Sequence, residues 1–174
     1  TASQYRSLDI YCCLIDMDNF AQYNLSFGKH VGDAILRIVG QRLKKLLPDG
    51  LMLYRGIGDN FLILSTTPID NNAKQSSMIL DSLEWECHKQ ISAPLTISKL
   101  VHNVTAAIAS CRLDARKASY EKINGVLTFG KKRAKKQGPG GMLALDKAAF
   151  NDYARYQEIS HSFARALDDG EFYL

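Results

Sequence analysis

The sequence of 174 residues has no apolar run near the roughly 20 residues that a membrane-spanning helix needs, so no membrane contact is expected of this piece. It has no Cys-x-x-Cys pair. The four cysteines are Cys12, Cys13, Cys87 and Cys111, the first two adjacent in an apolar stretch, which indicates neither a zinc site nor a disulfide framework. They read as reduced thiols in a cytoplasmic setting. No secretory leader is visible, and the chain starts at Thr1 instead of a methionine, so it reads as an excised piece whose parent is free to carry a membrane anchor. A general positive field is also missing: of the net charge of +4, five positives sit in Lys131, Lys132, Arg133, Lys135 and Lys136, and without them the balance turns to −1. With no aromatic residues interleaved in that run, nucleic acid is not expected as a partner.

With 46% hydrophobic, 23% charged and 9% aromatic residues, what remains is a globular composition, long enough to bury about two-thirds of its unfolded surface. Ile10–Ile15 predicts a buried strand that ends in the polar turn Asp16-Met17-Asp18-Asn19. Apolar residues at spacings of three and four from Val31 to Leu47 predict an amphipathic helix, stopped by Pro48-Asp49-Gly50. Leu51–Tyr54 and Phe61–Leu64 predict a hairpin around Arg55-Gly56-Ile57-Gly58-Asp59-Asn60. Further helices are expected at Asn71–Gln90, Ala118–Gln137 and Asp146–Leu167, a strand at Val101–Cys111, an edge strand at Met142–Leu145 and the start of another at Glu171. The order β-α-β-β-α-β-α implies an α+β layered fold, helices packed on a mixed sheet, with no internal repeat. Cys12, Cys13 and Trp85 read as packing residues, and His30 and His102 as surface polar groups.

Asp16 and Asp18 stand two apart at a strand end, so on an extended backbone both carboxylates leave one face. Two acids so placed can hold a hard cation such as Mg²⁺ together with substrate phosphates, although capping a turn is the commoner use of Asp-x-Asp. Phe20 at the third ligand position excludes an EF-hand loop. A second acid follows on the glycine-bearing hairpin, Gly58-Asp59, with a polar segment from Asn24 to Gly32-Asp33 between.

Taken in order, Leu14-Ile-Asp16-Met-Asp18-Asn-Phe20, Asn24-Leu-Ser-Phe-Gly28-Lys-His-Val-Gly32-Asp33, Leu36 and Arg55-Gly-Ile-Gly58-Asp59-Asn60-Phe61 resemble the GGDEF domain of diguanylate cyclases, from about Leu8 to about Leu145. The resemblance implies a palm-like cyclase fold with a central, mostly antiparallel sheet flanked by helices, in which two GTP molecules, one on each subunit of a homodimer, condense to cyclic di-GMP. By position, Asp16, the Met17 carbonyl and Asp59 would hold Mg²⁺, Asn24 and Asp33 would read the guanine edge, and Lys135 would contact phosphate, with Lys132 there in another register. A solvated helix end is the plainer reading of Lys131–Lys136.

The departures from the pattern matter as much. Ala21 stands where a lysine is expected, Ile57 replaces the first glycine of the motif, and Asn60 replaces its glutamate, leaving Asp59 and Asn60 as vestiges of a catalytic pair. Ile57 at a position of glycine-only backbone angles is expected to crowd the triphosphate. Pro48-Asp49-Gly50-Leu51 lacks the arginine and aspartate of the family's product-inhibition site. The tail from Ile159 to Leu174 is similar to the lead-in of an EAL phosphodiesterase domain. The expectation is therefore a degenerate GGDEF domain over 1–145 and a linker helix with the start of an EAL domain over 146–174. Three functions stay open: an inactive, GTP-binding regulatory module, a cyclase of low activity, and a dimerisation or docking module that binds nothing.

Overall fold

The longest apolar run becomes the middle of a sheet. In the computed structural model, which describes residues 8–66, 69–70 and 74–168, β1 (Leu8–Met17) lies between β3 (Asn60–Ser65) and β7 (Ala106–Asp114), antiparallel to both. On the far side of β3 runs β2 (Leu51–Arg55), beyond β7 lies the edge strand β8 (Met142–Leu145), and the short β4 (Ile69–Asp70) pairs antiparallel with the start of β1. A strand covered on both faces needs apolar residues at every position, which is why β1 reads as a continuous run. Tyr11, Cys13, Ile15 and Met17 enter the core shared with α2 (Lys29–Leu46) and α3 (Lys74–Ser92). The alternate residues, among them Cys12 and Asp16, take the opposite face, where α4 (Tyr120–Lys136) packs on β1 and β7. All four cysteines are buried free thiols.

In α2 the spacing does what it promised: Ile35, Leu36, Val39 and Leu43 are buried on one stripe, each contributing about 1.5–3 kcal/mol over an exposed position. Ser119 caps α4, accepting a hydrogen bond from the Lys122 amide at 3.2 Å. The fold is thus the α+β arrangement expected, with a mostly antiparallel sheet between helical layers. Among the described residues no helix is long and apolar enough to cross a membrane.

Three features differ from expectation. The polar segment after β1 is a helix, α1 (Phe20–Phe27), with Phe20 its one buried residue. The strand expected at Val101–Cys111 is two strands in two sheets: β6 (Leu100–His102) pairs with β5 (Leu95–Ile97) across a turn in which Ser98 and Lys99 have positive φ, and β7 starts only at Ala106. His102 is not a surface residue. It is buried, its Nδ1 shares a hydrogen bond with the Tyr23 hydroxyl, and Phe27 meets the ring edge-on at 5.3 Å, so it anchors α1 to the small sheet. Trp85, conversely, is more than half exposed on α3, stacked on His88.

The chain divides into two units, 1–144 and 145–174. The second carries α5 (Lys147–Asp168), opened by Asp146, whose Oδ1 accepts from the Ala149 amide at 2.8 Å. The strand expected from Glu171 lies outside the described residues.

Candidate functional site

Two clusters form where β1 runs out. The first centres on Asp16, whose register partners are Asn60 on β3 and Ala107 on β7. Strand alternation turns its carboxylate toward α4, where Lys131 and Lys135, one helical turn apart, present their ammonium groups to it. Lys131 Nζ donates to Asp16 Oδ2 at 2.9 Å, and Lys135 Nζ pairs with Oδ1. Both carboxylate oxygens are held. Burial pushes the Asp16 carboxyl up, but hydrogen bonds from Lys135 and Lys131 outweigh it and hold the group below its ordinary value, so it is ionised at neutral pH.

Asp18 has another task, because β1 ends at Met17 and the backbone does not stay extended. Its Oδ2 accepts from Thr105 Oγ1 at 2.7 Å and from the Gly140 amide at 2.8 Å, while its own amide donates to the Thr105 carbonyl. It stitches the end of β1 to the loop before β7 and the turn after α4. The two acids therefore do not converge on one cation.

The hairpin of β2 and β3 is pinned to the same place: the Met17 amide donates to the Asp59 carbonyl at 3.2 Å, which sets Asp59 beside Met17. Its tip closes on itself. Asn60 Nδ2 donates to the Ile57 carbonyl at 3.0 Å, and Arg55 Nη2 donates to the Gly58 carbonyl at 3.2 Å. A carboxylate at position 60 has no proton to give that bond at neutral pH. The expected glycine-only angle does not fall at Ile57: the left-handed residue is Gly58, φ +84°, and Ile57 is 98% exposed with ordinary backbone. Its side chain stands in solvent and crowds nothing in the chain.

The second cluster is built by α1 and α2. Gly28 turns between them with φ +87°, its amide donating to the Asn24 carbonyl. This lays the Asn24 side chain against Gly32, where a Cβ would come within 1.9 Å of Oδ1. Asp33, next in the chain, is exposed at the rim. Asn24 Oδ1 is buried without a hydrogen-bond partner. Such an orphan costs about 1–3 kcal/mol and leaves an acceptor open to an incoming donor.

Between the clusters in sequence, Asn19 begins α1 in the left-handed region, φ 52°, and its side chain does not cap the helix, leaving the first-turn amides without that acceptor. A cleft of about 170 Å³ opens there, lined by Asp18, Asn19, Lys135, Gly138 and Pro139. That is less than the roughly 300 Å³ at which whole-ligand pockets begin, and it suits phosphate groups at a helix start near an ammonium.

Of the lysines weighed for phosphate, Lys135 reaches Asp16, and Lys132 is exposed. Lys131 went unnoticed in the sequence because the basic run read as a solvated helix end. Its signal was there: it lies four residues after buried Leu127 and three before buried Ala134, on the stripe that faces the sheet. Of the expected Mg²⁺ set, Asp16, the Met17 carbonyl and Asp59 come together at the end of β1, with one ammonium on each Asp16 oxygen. Among the described residues no three carboxylate, imidazole or thiol groups converge to hold a metal.

Known proteins share this fold. The family model described as diguanylate cyclase, GGDEF domain, matches residues 1–152, and the chain belongs to that family, the GGDEF domains of cyclic di-GMP signalling proteins. An EAL/GGDEF domain protein from M. capsulatus superposes with a TM-score of 0.69 at 20% identity, over 83% of this chain and 90% of that one. Diguanylate cyclase DgcP of Escherichia coli is 41% identical over 69 residues, 40% of this chain and 20% of its own length. An uncharacterised protein, y4lL, of Sinorhizobium fredii is 25% identical over 94% of this chain and 19% of its own length. The chain spans a fifth or less of the curated relatives it matches.

Proposed function

We propose that this is a degenerate GGDEF domain that binds GTP without converting it and, through that binding, regulates an adjacent EAL phosphodiesterase domain of its parent protein. The observation that carries the reading is the unpartnered, buried Asn24 Oδ1 lying beside Gly32 and Asp33. Two acceptors, an amide oxygen and a carboxylate, match the paired N–H donors on the base-pairing edge of guanine. Adenine offers no such pair there. The cleft at Asn19 and Lys135 supplies the phosphate end.

Absence of turnover follows from position 60. The amide that stands for the motif's glutamate is committed to the Ile57 carbonyl, and Ala21 brings no cation to the first turn of α1. Loss of one charged group in such a site costs about 10²–10⁴ in rate, and here two are gone. A module that binds without condensing two GTP molecules needs no homodimer. GTP would act on the EAL partner by favouring one of two arrangements of the connecting helix, which requires different affinity in the two. The M. capsulatus neighbour, an EAL/GGDEF domain protein by name, supports the tandem arrangement.

The test is a calorimetric titration of the chain with GTP, with ATP as control and product analysis on the same samples, followed by the parent's phosphodiesterase rate with and without GTP. Micromolar GTP binding with weak ATP binding, no product and a GTP-dependent phosphodiesterase rate is the expected result. Cyclic di-GMP in the samples would establish a cyclase of low activity instead. Absence of binding would leave a docking module.

A further inference from the structure

We infer that the open edge of β2 is where two copies of this chain meet, β2 pairing with β2 across a two-fold axis to form a weak dimer. The backbone shows which groups are on offer. The Thr66 amide donates to the Gly50 carbonyl at 2.8 Å and the Gly56 amide to the Asn60 carbonyl at 3.0 Å, so the even positions of this strand bond toward β3. Alternation then turns the amides and carbonyls of Leu51, Leu53 and Arg55 outward, to the side where no strand lies among the described residues. Of these groups, the Leu51 amide donates to the Pro48 carbonyl at 3.2 Å. Leu51-Met52-Leu53-Tyr54 contains no proline, glycine or charge, the devices that blunt an exposed edge. The opposite edge is different: Leu143 of β8 shares a cleft with Arg133 and Lys136.

This edge is complementary to itself. With the axis at Leu53, the Leu53 amide donates to the second copy's Leu53 carbonyl, the Arg55 amide to the second copy's Leu51 carbonyl, and both bonds recur by symmetry. Met52 then stands beside the second copy's Tyr54 in the closer, non-hydrogen-bonded kind of pair, a thioether against an aromatic ring, and Tyr54 beside the second copy's Met52. Within one chain the Tyr54 hydroxyl donates to Met52 Sδ at 3.6 Å, so both side chains lie on one face of the sheet. Register sets Leu64 beside Met52 and Leu62 beside Tyr54 on that face. Helix α4 packs over β1 and β7, and Met52 and Tyr54 stay 49% and 45% exposed. Pairing makes these apolar residues one continuous face across both copies. The edge is short, at the low end of interface size, so the dissociation constant should be on the order of 100 μM. The inference does not rest on the GTP reading.

Sedimentation equilibrium of the chain without nucleotide, from about 10 μM to about 1 mM at low ionic strength, decides. The wild type should pass from monomer to dimer over that range. Because the register sets position 52 against position 54 of the second copy, charge can be used to read it. Met52→Lys with Tyr54→Lys places like charges opposite each other and should weaken the dimer by about tenfold or more, whereas Met52→Lys with Tyr54→Glu places opposite charges there and should stay at least about tenfold tighter than the all-lysine variant. Mixing the all-lysine variant with Met52→Glu/Tyr54→Glu should restore a dimer that neither forms alone. A wild type that stays monomeric throughout overturns the inference. So does a dimer that the all-lysine variant leaves unchanged, which would lie on another face, and so does equal loss in the all-lysine and the Lys/Glu variants, which would mean another register. Folding is read from melting temperature, and if the all-lysine variant does not fold, the all-glutamate variant is judged by the same criterion.

Discussion

The two ends of the site differ in what they leave undone. At the end we assign to guanine a buried acceptor, Asn24 Oδ1, has nothing to bond to, and the adjacent carboxylate of Asp33 is exposed. At the end we assign to phosphate three polar side chains of the motif have partners inside the chain: Asp16 holds two lysines, Asp18 ties two loops, and Asn60 closes its own hairpin. Both ends derive from one family motif, and on the reading we propose one is kept as a socket while the other has become structure. A replaced residue closes a site when its new group can bond locally, as the Asn60 amide does. Asn24 has no such outlet, because Gly32 gives it space and no donor.

The change that should disturb this contrast most is Gly32→Ala. The added Cβ would lie 1.9 Å from Asn24 Oδ1 and 3.0 Å from Phe20 Cζ, so the amide must leave its place. Overpacking of this kind costs about 1–3 kcal/mol, and GTP affinity should fall by about tenfold or more on top, read by thermal melting and calorimetry. A variant that binds GTP as the wild type does would remove Asn24 from the guanine site.

Asp16→Asn comes next and cuts the other way. It takes the shared partner from two lysines that can still reach solvent, so stability should drop by about 1–2 kcal/mol, less than for a fully buried pair. GTP affinity should hold or rise, because the lysines no longer divide their charge between a carboxylate and phosphates. Loss of GTP binding would place Asp16 among the groups that hold the nucleotide.

How far the sequence foretold these two ends depends on the length of the signals. β1, α2, the hairpin and α4 were legible because each carries a sustained apolar pattern, and the family motif placed Asp16, Asp59, Asn24 and Asp33 in order. Helix α1 was not, since eight residues with one buried side chain have no stripe to read, and its helicity rests on Tyr23 and Phe27 packing against His102. The β5–β6 turn was hidden by Ser98 and Lys99, which take positive φ without a glycine to announce it. Lys131 was masked by its neighbours: five basic residues within six positions read as a solvated face, although helical spacing separates the two that turn inward from Lys132, which does not.

Asn60→Glu tests whether the hairpin tip is closed by the amide. The variant adds one methylene and loses the donor to the Ile57 carbonyl, so it should destabilise the chain by about 1 kcal/mol. It should not yield cyclic di-GMP, since Ala21 still brings no cation to the first turn of α1. Measurable product from this single change would show that the phosphate end is one residue from activity.

Ile57→Gly should do least, although the motif makes it the most conspicuous departure. The side chain is 98% exposed, and its backbone is not in the left-handed region, so restoring the glycine removes no contact and relieves no strain. What it adds is freedom in the unfolded chain, worth about 0.5 kcal/mol against the fold. GTP affinity should stay within about twofold of wild type, a change under 0.5 kcal/mol. If the glycine instead raised affinity by about tenfold, the isoleucine would be meeting the triphosphate from the solvent side, and the phosphate end would be closed by a side chain reaching over it as well as by its own bonds.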